Sequence, residues 1–235
     1  TYHGAKALHA AVQAITDQPV VTVINTGGQD HRWIGNSYWA EQGAEIIAST
    51  EAVADQQARA SIQMTVLSTL VGAEGIDGTT PRYADITFDE HYGFTLGGIT
   101  FELIQGAAHT PGETTVWLPA QSTAFTGDLV YVERMLGVMA FSSSLDWVQS
   151  FEALEALRPD HIVPGHGGPT DLATATRDTY DYLTALRSAI GALIDAGGSI
   201  VDAPKVDQSA FTYLLNFDTL AGRNAQEVYA QMEWE

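Results

Sequence analysis

Four times along this chain a short apolar run breaks off into a loop that carries glycine or proline beside an acidic or imidazole side chain. PVVTVIN runs into TGGQDH, with Asp30 and His31, and TFELIQ runs into GAAHTPG, with His109. TAFT runs into GDLVY, with Asp128, and HIV runs into PGHGG, with His166. Strands that are apolar almost throughout are buried on both faces, which is the texture of a sheet covered by helices. Helical periodicity lies between and around them. It places Leu8, Val12 and Ile15 on one face, a helix from Thr50 as N-cap to about Val71, and Trp147, Phe151, Leu154 and Leu157 on a helix that Pro159 stops. A further apolar stripe from Asp171 to Ala196 ends at Gly197-Gly198. EIIAS, residues 45 to 49, reads as another strand, and from Gly72 the segments TFDE, FTLGG, TFELIQ, TVWLP and TAFTG follow one another at hairpin distances. Asp207 to Glu235 reads as two short helices with Gly222 between them. The pattern predicts an α/β fold with a hairpin-rich middle, whose ligands gather at the carboxyl ends of its strands.

The chain's 235 residues fit one large domain, and a hydrophobic content of 45% gives it a sizeable core. Ten basic residues against 29 acidic ones leave a formal charge of −19, which repels phosphate backbones and anionic membrane surfaces. No nucleic acid and no membrane is expected as a partner; a small-molecule substrate is, with a homo-oligomer left open. Without a cysteine there are no disulfides, thiolate ligands or cysteine nucleophiles. No run approaches the ~18 apolar residues of a membrane span, and no signal peptide is visible. The compartment stays open between periplasm and cytoplasm.

Each polar loop has an ordinary reading by itself. Asp30 caps a turn, His109 bonds within the turn around Thr110, Asp128 follows a strand-end glycine, and His166 sits in a tight glycine turn. Together they supply two carboxylates and three imidazoles, all in loops that follow strands. Nitrogen and oxygen donors of this kind suit Zn²⁺, Mn²⁺ or Fe²⁺, and catalytic zinc takes about three protein ligands with one position open for water. Trp33, Tyr38, Trp39 and Tyr131 lie close by in sequence, and Trp33 and Tyr131 are the candidate substrate-binding residues. His3, His9, His91 and His161 read as surface or core histidines.

The order DH…HTPG…TGD…PGH resembles the metallo-β-lactamase superfamily, over nearly the whole chain from the helix at Ala5 to the helix at Asp171. The resemblance implies a four-layer αββα sandwich, formed by one domain over residues 1–235 with a helical C-terminal extension from about 199. Several strands precede the first helix in that fold, so the resemblance implies that this chain begins inside it. Family members usually carry His-x-His-x-Asp-His in the first loop, and the two leading histidines fall here on Thr26 and Gly28. The first of the family's two metal sites then keeps only His109 and Asp128. The second keeps Asp30, His31, Asp128 and His166, a full set. A narrower likeness lies in NTGGQDHRWIGN and GRNAQEVYAQMEWE, which resemble members associated with bacterial quinoprotein and sulfur-oxidation systems.

What the resemblance implies is a hydrolase with one divalent metal, zinc before iron or manganese, in the second site. It would activate water against an ester, thioester, lactone or amide, with Asp30 orienting or deprotonating that water and His109 at the scissile oxygen or leaving group. The family's iron-dependent persulfide oxidation needs the two missing histidines, and a nuclease needs a less acidic surface. The competing class is a binding or relay protein that keeps the fold, with or without one structural metal, and has no turnover.

Overall fold

The computed structural model describes residues 1–235. The chain divides into two compact units, Thr1–Glu90 and His91–Glu235.

In the first unit, helix α1 (Tyr2–Gln13) is capped by the Thr1 hydroxyl, which accepts from the Gly4 amide. Strand β1 (Thr22–Ile24) follows, then two short helices, α2 (Asp30–Trp33) and α3 (Asn36–Glu41), then strand β2 (Glu45–Ser49). The long helix α4 (Thr50–Ile76) leads on to strand β3 (Ile86–Phe88). The helical crossovers make all pairings parallel: β1 on β2 at Val23↔Ile46, and β2 on β3 at Ile47↔Ile86. The segment TFDE therefore opens no hairpin; its strand residues complete this sheet. Ser49, one residue before the expected cap, accepts from the Ala52 amide at the start of α4. The helix breaks at Gly72, whose φ of 73° no L-residue adopts cheaply, and resumes to Ile76. Trp33, Ile34 and Ala60 form one small core here, and Ala5, Tyr38, Trp39 and Ala44 another.

The second unit opens with a meander. Strands β4 (His91–Leu96), β5 (Ile99–Gly106), β6 (Glu113–Leu118) and β7 (Thr123–Tyr131) pair antiparallel in order, with Gly97-Gly98 turning the first hairpin at positive φ. Helix α5 (Ser144–Leu157) carries the chain over to strand β8 (His161–His166), which joins the edge of β7 in parallel. Ser143 caps α5, which buries Trp147, Phe151 and Leu154 as its periodicity predicts.

The apolar stripe from Asp171 is interrupted. Helix α6 (Leu172–Ala175) passes through a π turn, Thr176–Tyr180, into helix α7 (Asp181–Asp195). The C-terminal stretch also departs from expectation: two short 3₁₀ turns precede one helix, α8 (Phe217–Met232), that runs straight through Gly222. A Cβ on Gly222 would lie 3.3 Å from the Pro204 side chain. That glycine makes room for a neighbour and ends nothing. Trp147, Phe151, Tyr182, Leu186, Ile162 and Val228 belong to the continuous core of this unit. The chain is mixed α/β with two sheets, in keeping with the α/β sandwich expected from the sequence. No helix is long and apolar enough to cross a membrane.

Candidate metal centre

In the second unit three of the four motifs converge on the ends of β5, β7 and β8. The register between β7 and β8 shifts twice: Phe125 faces Val163, Gly127 faces Pro164, and Tyr131 faces His166. Four residues advance on β7 while two advance on β8. A bulge of this kind bends a strand and re-aims its side chains. Between Gly127 and Tyr131 the bulged stretch is Asp128 to Val130, three residues where β8 has one. The freed Leu129 carbonyl accepts from Trp147 Nε1 at 2.8 Å, and Thr179, on the π turn, bonds both the amide and the carbonyl of Tyr131 at 3.0 and 2.6 Å. Asp128 is fully buried, and its Oδ1 stands 3.4 Å from His166 Nε2. Immediately after His166, Gly167 takes a φ of +99°, and any Cβ there would meet the Val132 carbonyl oxygen at 2.5 Å. Only glycine lets the chain turn at that point.

His109 is buried at the end of the HTPG loop. Its Nδ1 lies 2.8 Å from the Gly137 carbonyl. A carbonyl only accepts, so Nδ1 carries the proton and Nε2 the lone pair. Glu113 shapes the loop by accepting from the Thr110 hydroxyl at 2.6 Å and the Thr110 amide at 3.2 Å. The Tyr131 ring lies 6.0 Å from that of His109 and 4.7 Å from that of His166. His109, Tyr131, Asp128 and His166 thus share one neighbourhood.

The first unit holds Asp30 and His31 at the start of α2. Asp30 Oδ1 accepts from the His31 amide at 2.7 Å and faces His31 Nδ1 at 3.1 Å. Burial pushes the Asp30 carboxyl up, but the two His31 hydrogen bonds and the charges of His31 and Arg59 outweigh it, so its pKa lies below the ordinary value. A carboxylate beside Nδ1 is the usual setting of a histidine that ligates a metal through Nε2. Trp33, expected as a substrate wall, is 1% exposed; its ring stacks on Tyr83 and its Nε1 donates to Gln63 at 2.9 Å. It packs the core of its unit.

The TGGQ turn explains the missing histidines. Gln56 and Gln63 of α4 donate to the carbonyls of Gly27 and Gly28, and Arg59 donates to the Gln29 side chain. A Cβ on Gly28 would fall 1.8 Å from Asp55 Oδ2. Asp55 is itself held by both the Nε and Nη2 of Arg59. Where the family's second histidine would stand, an ion pair fills the space. Two of the other histidines are occupied elsewhere: His9 with the Tyr38 hydroxyl at 2.8 Å and His91 with Glu102.

Several supporting residues gave no signal in the sequence. Asn25 and Asn36 exchange amide hydrogen bonds at 3.0 and 2.8 Å and close the loop that carries Asp30 and His31. From α8, Asn224 accepts from the Val138 amide and donates to the Leu136 carbonyl, bracketing the Gly137 that holds His109. Gln231 bonds the Ser142 carbonyl and the Ser144 amide, while the Ser142 hydroxyl donates to the His109 carbonyl. A polar residue in a helical tail looks like a solvated one until its partners are seen.

The donor set fits a metal. Two ligands on one tetrahedral zinc, each about 2.0–2.1 Å from it, stand about 3.3 Å apart. Asp128 and His166 sit at that spacing, which is long for a direct charge-assisted hydrogen bond.

Comparison with known proteins bears on the fold and the family. A solved metallo-beta-lactamase from Pontibacter korlensis aligns with a TM-score of 0.59 at 24% identity, covering 76% of each chain. A metallo-beta-lactamase family protein from Thermus thermophilus gives 0.66 at 18% identity, over 99% of this chain and 81% of the other. The inverting sec-alkylsulfatase Pisa1 from Pseudomonas sp. gives 0.74 at 16% identity, over 96% of this chain but 43% of that one. The beta-lactamase-like protein 2 homolog of Caenorhabditis elegans is 28% identical over 92 residues, which is 39% of this chain and 30% of its own length. This chain thus spans under a third of that relative in the matched region. Residues 10–166 match the metallo-beta-lactamase superfamily, and the match ends on His166, in the last of the four motifs. The chain belongs to that superfamily.

Proposed function

We propose that the protein is a hydrolase with a single divalent metal, most simply zinc, held in the second unit by Asp128 and His166, with the Asp30-His31 motif supplying the further ligand that the family resemblance implies. The observation that carries this reading is the buried Asp128 carboxylate facing His166 Nε2 at 3.4 Å. A divalent ion held there would supply a Lewis acid and make water easier to deprotonate near neutral pH. The remaining work falls to the chain. Asp30, held ionised by His31, orients the attacking water and takes its proton. His109, fixed through Nδ1 by the Gly137 carbonyl, donates from Nε2, once that nitrogen is protonated, to the scissile oxygen or the leaving atom. Water oxygen bonds to the acyl carbon, the bond to the leaving group breaks, and that group departs with a proton. Esters, thioesters, lactones and amides all fit this scheme.

The test is elemental analysis of protein purified without added metal, beside His166→Ala and Asp128→Asn, followed by a screen of esters, thioesters, lactones and amides. We expect about one metal per chain, lost in both variants, and turnover that Asp30→Ala abolishes while the metal stays. Protein that neither carries metal nor takes it up on titration would sink the reading. One metal per chain without turnover on the panel would favour a binding or relay protein.

A further inference from the structure

We infer that Arg134 is the specificity-determining residue of this centre and that its substrate is an anion, carrying a carboxylate or similar oxyanion group beside the bond to be cleaved. The inference rests on the hydrolase reading above for the word substrate, and on Arg134 alone for the charge.

Arginine is rare in this chain, where 29 acidic residues face 10 basic ones, so a guanidinium has carboxylates in excess to pair with. Of the eight arginines, Arg177 pairs with Asp178, Arg187 with Glu235, Arg59 with Asp55 and Arg82 with Asp85, while Arg223 meets the Met139 sulfur. Arg134 meets no carboxylate. Its Nε is buried without a hydrogen-bond partner. Its one polar contact is Nη1 at 3.4 Å from His166 Nδ1, and its guanidinium carbon lies 6.0 Å from the centre of the Tyr131 ring. Asp178, close by, is already taken by Arg177, the Tyr213 hydroxyl and the Glu133 amide.

The contact with His166 does not explain the residue. A histidine that ligates through Nε2 carries its proton on Nδ1 and normally gives it to a carboxylate or carbonyl. A guanidinium has five donors and no acceptor, so it cannot serve that role. Once His166 is a ligand, Arg134 loses its one polar partner in the molecule.

The backbone around Arg134 is nonetheless fixed. Glu133 holds a φ of 64°, rare for a side-chain-bearing residue. It is locked by its amide on Asp178 at 2.9 Å and by its carbonyl, which accepts from Leu215 at 3.0 Å. Met135 closes the bracket by donating to the Leu215 carbonyl at 2.9 Å. A planar, always-charged fork on a fixed backbone beside a metal-ligating histidine suits bidentate recognition of an oxyanion.

The test uses metal-loaded protein and two readouts. Succinate is titrated and followed by amide chemical shifts, for wild type, Arg134→Ala, Arg134→Lys and, as a control of equal charge, Lys205→Ala. We expect the Kd of Arg134→Ala to rise about tenfold or more, Arg134→Lys to recover part of it, and Lys205→Ala to match wild type. Equal affinity in wild type and Arg134→Ala, or an equal loss in Lys205→Ala, would overturn the inference. The second readout compares 4-nitrophenyl acetate with mono-4-nitrophenyl succinate. Arg134→Ala should lower kcat/KM for the anionic ester alone, and an equal loss on both esters would also overturn it. Failure to hydrolyse either ester leaves the binding result standing and counts against the hydrolase reading, so the two failures are distinguishable.

Discussion

Gly28 shows at the scale of one residue how a lost ligand position is made permanent. Where the family resemblance places a histidine, Gly28 has no side chain, and the Asp55–Arg59 pair occupies the space. Gly28→Ala should therefore destabilise the fold by about 1–3 kcal/mol, the usual cost of overpacking. Asp55→Ala in the same chain should recover most of that loss, since it removes the clashing atoms. Urea denaturation of the three variants checks the coupling; strictly additive losses would show that Asp55 is not what excludes a side chain at Gly28. The same geometry predicts that Gly28→His does not rebuild a second metal site. Asp30, His31, Asp128 and His166 were each legible from their motifs. Gly28 was legible only as an absence, because a cavity and a filled space look alike in a string of letters.

Among the elements, α8 carries the least expected role. Its Asn224 is fully buried and bonds Leu136, Val138 and the Tyr182 hydroxyl, and through the first two it fixes the Gly137 carbonyl on which His109 rests. Asn224→Ala leaves a buried amide and a buried carbonyl unpaired and should cost about 2–6 kcal/mol, at about 1–3 kcal/mol for each orphaned group. It should also lower turnover more than it lowers metal content, because His109 moves while Asp128 and His166 stay. Thermal unfolding and metal analysis on one preparation separate these effects; equal loss of metal and activity would contradict it. The π turn at Thr176–Tyr180 works similarly, bringing Thr179 onto Tyr131 and Asp178 onto Glu133. Such π turns appear often beside functional sites. Apolar periodicity found the stripe from Asp171 to Ala196 but could not reveal the extra residue in its winding, since the stripe survives the interruption.

For the whole molecule the dominant property is charge. A formal charge of −19 spread over 235 residues makes the compact state repel itself. Raising ionic strength from about 0.01 M to 0.15 M shortens the Debye length from about 30 Å to about 8 Å. Relief of about 1 kcal/mol of repulsion should raise Tm by about 2–4 °C. Scanning calorimetry across that range checks it, and a Tm that is flat or falls with salt would show that specific ion pairs outweigh the net field. The region matched to the superfamily stops at His166, yet Thr179, Asn224 and Gln231 all lie beyond it and all hold parts of the centre in the second unit.

The sequence by itself determined the α/β class, the strand-then-loop placement of the four motifs, and the family, because these depend on local apolar patterning and on residues close along the chain. It did not determine that TFDE joins the first sheet, that Gly222 lies inside a helix, that Trp33 is core, or that Arg134 lacks a carboxylate. Those depend on which side chain meets which across dozens of residues, as with Ile47 against Ile86 or Pro204 against Gly222. Partners so distant in sequence leave no periodic trace, and packing alone selects among them.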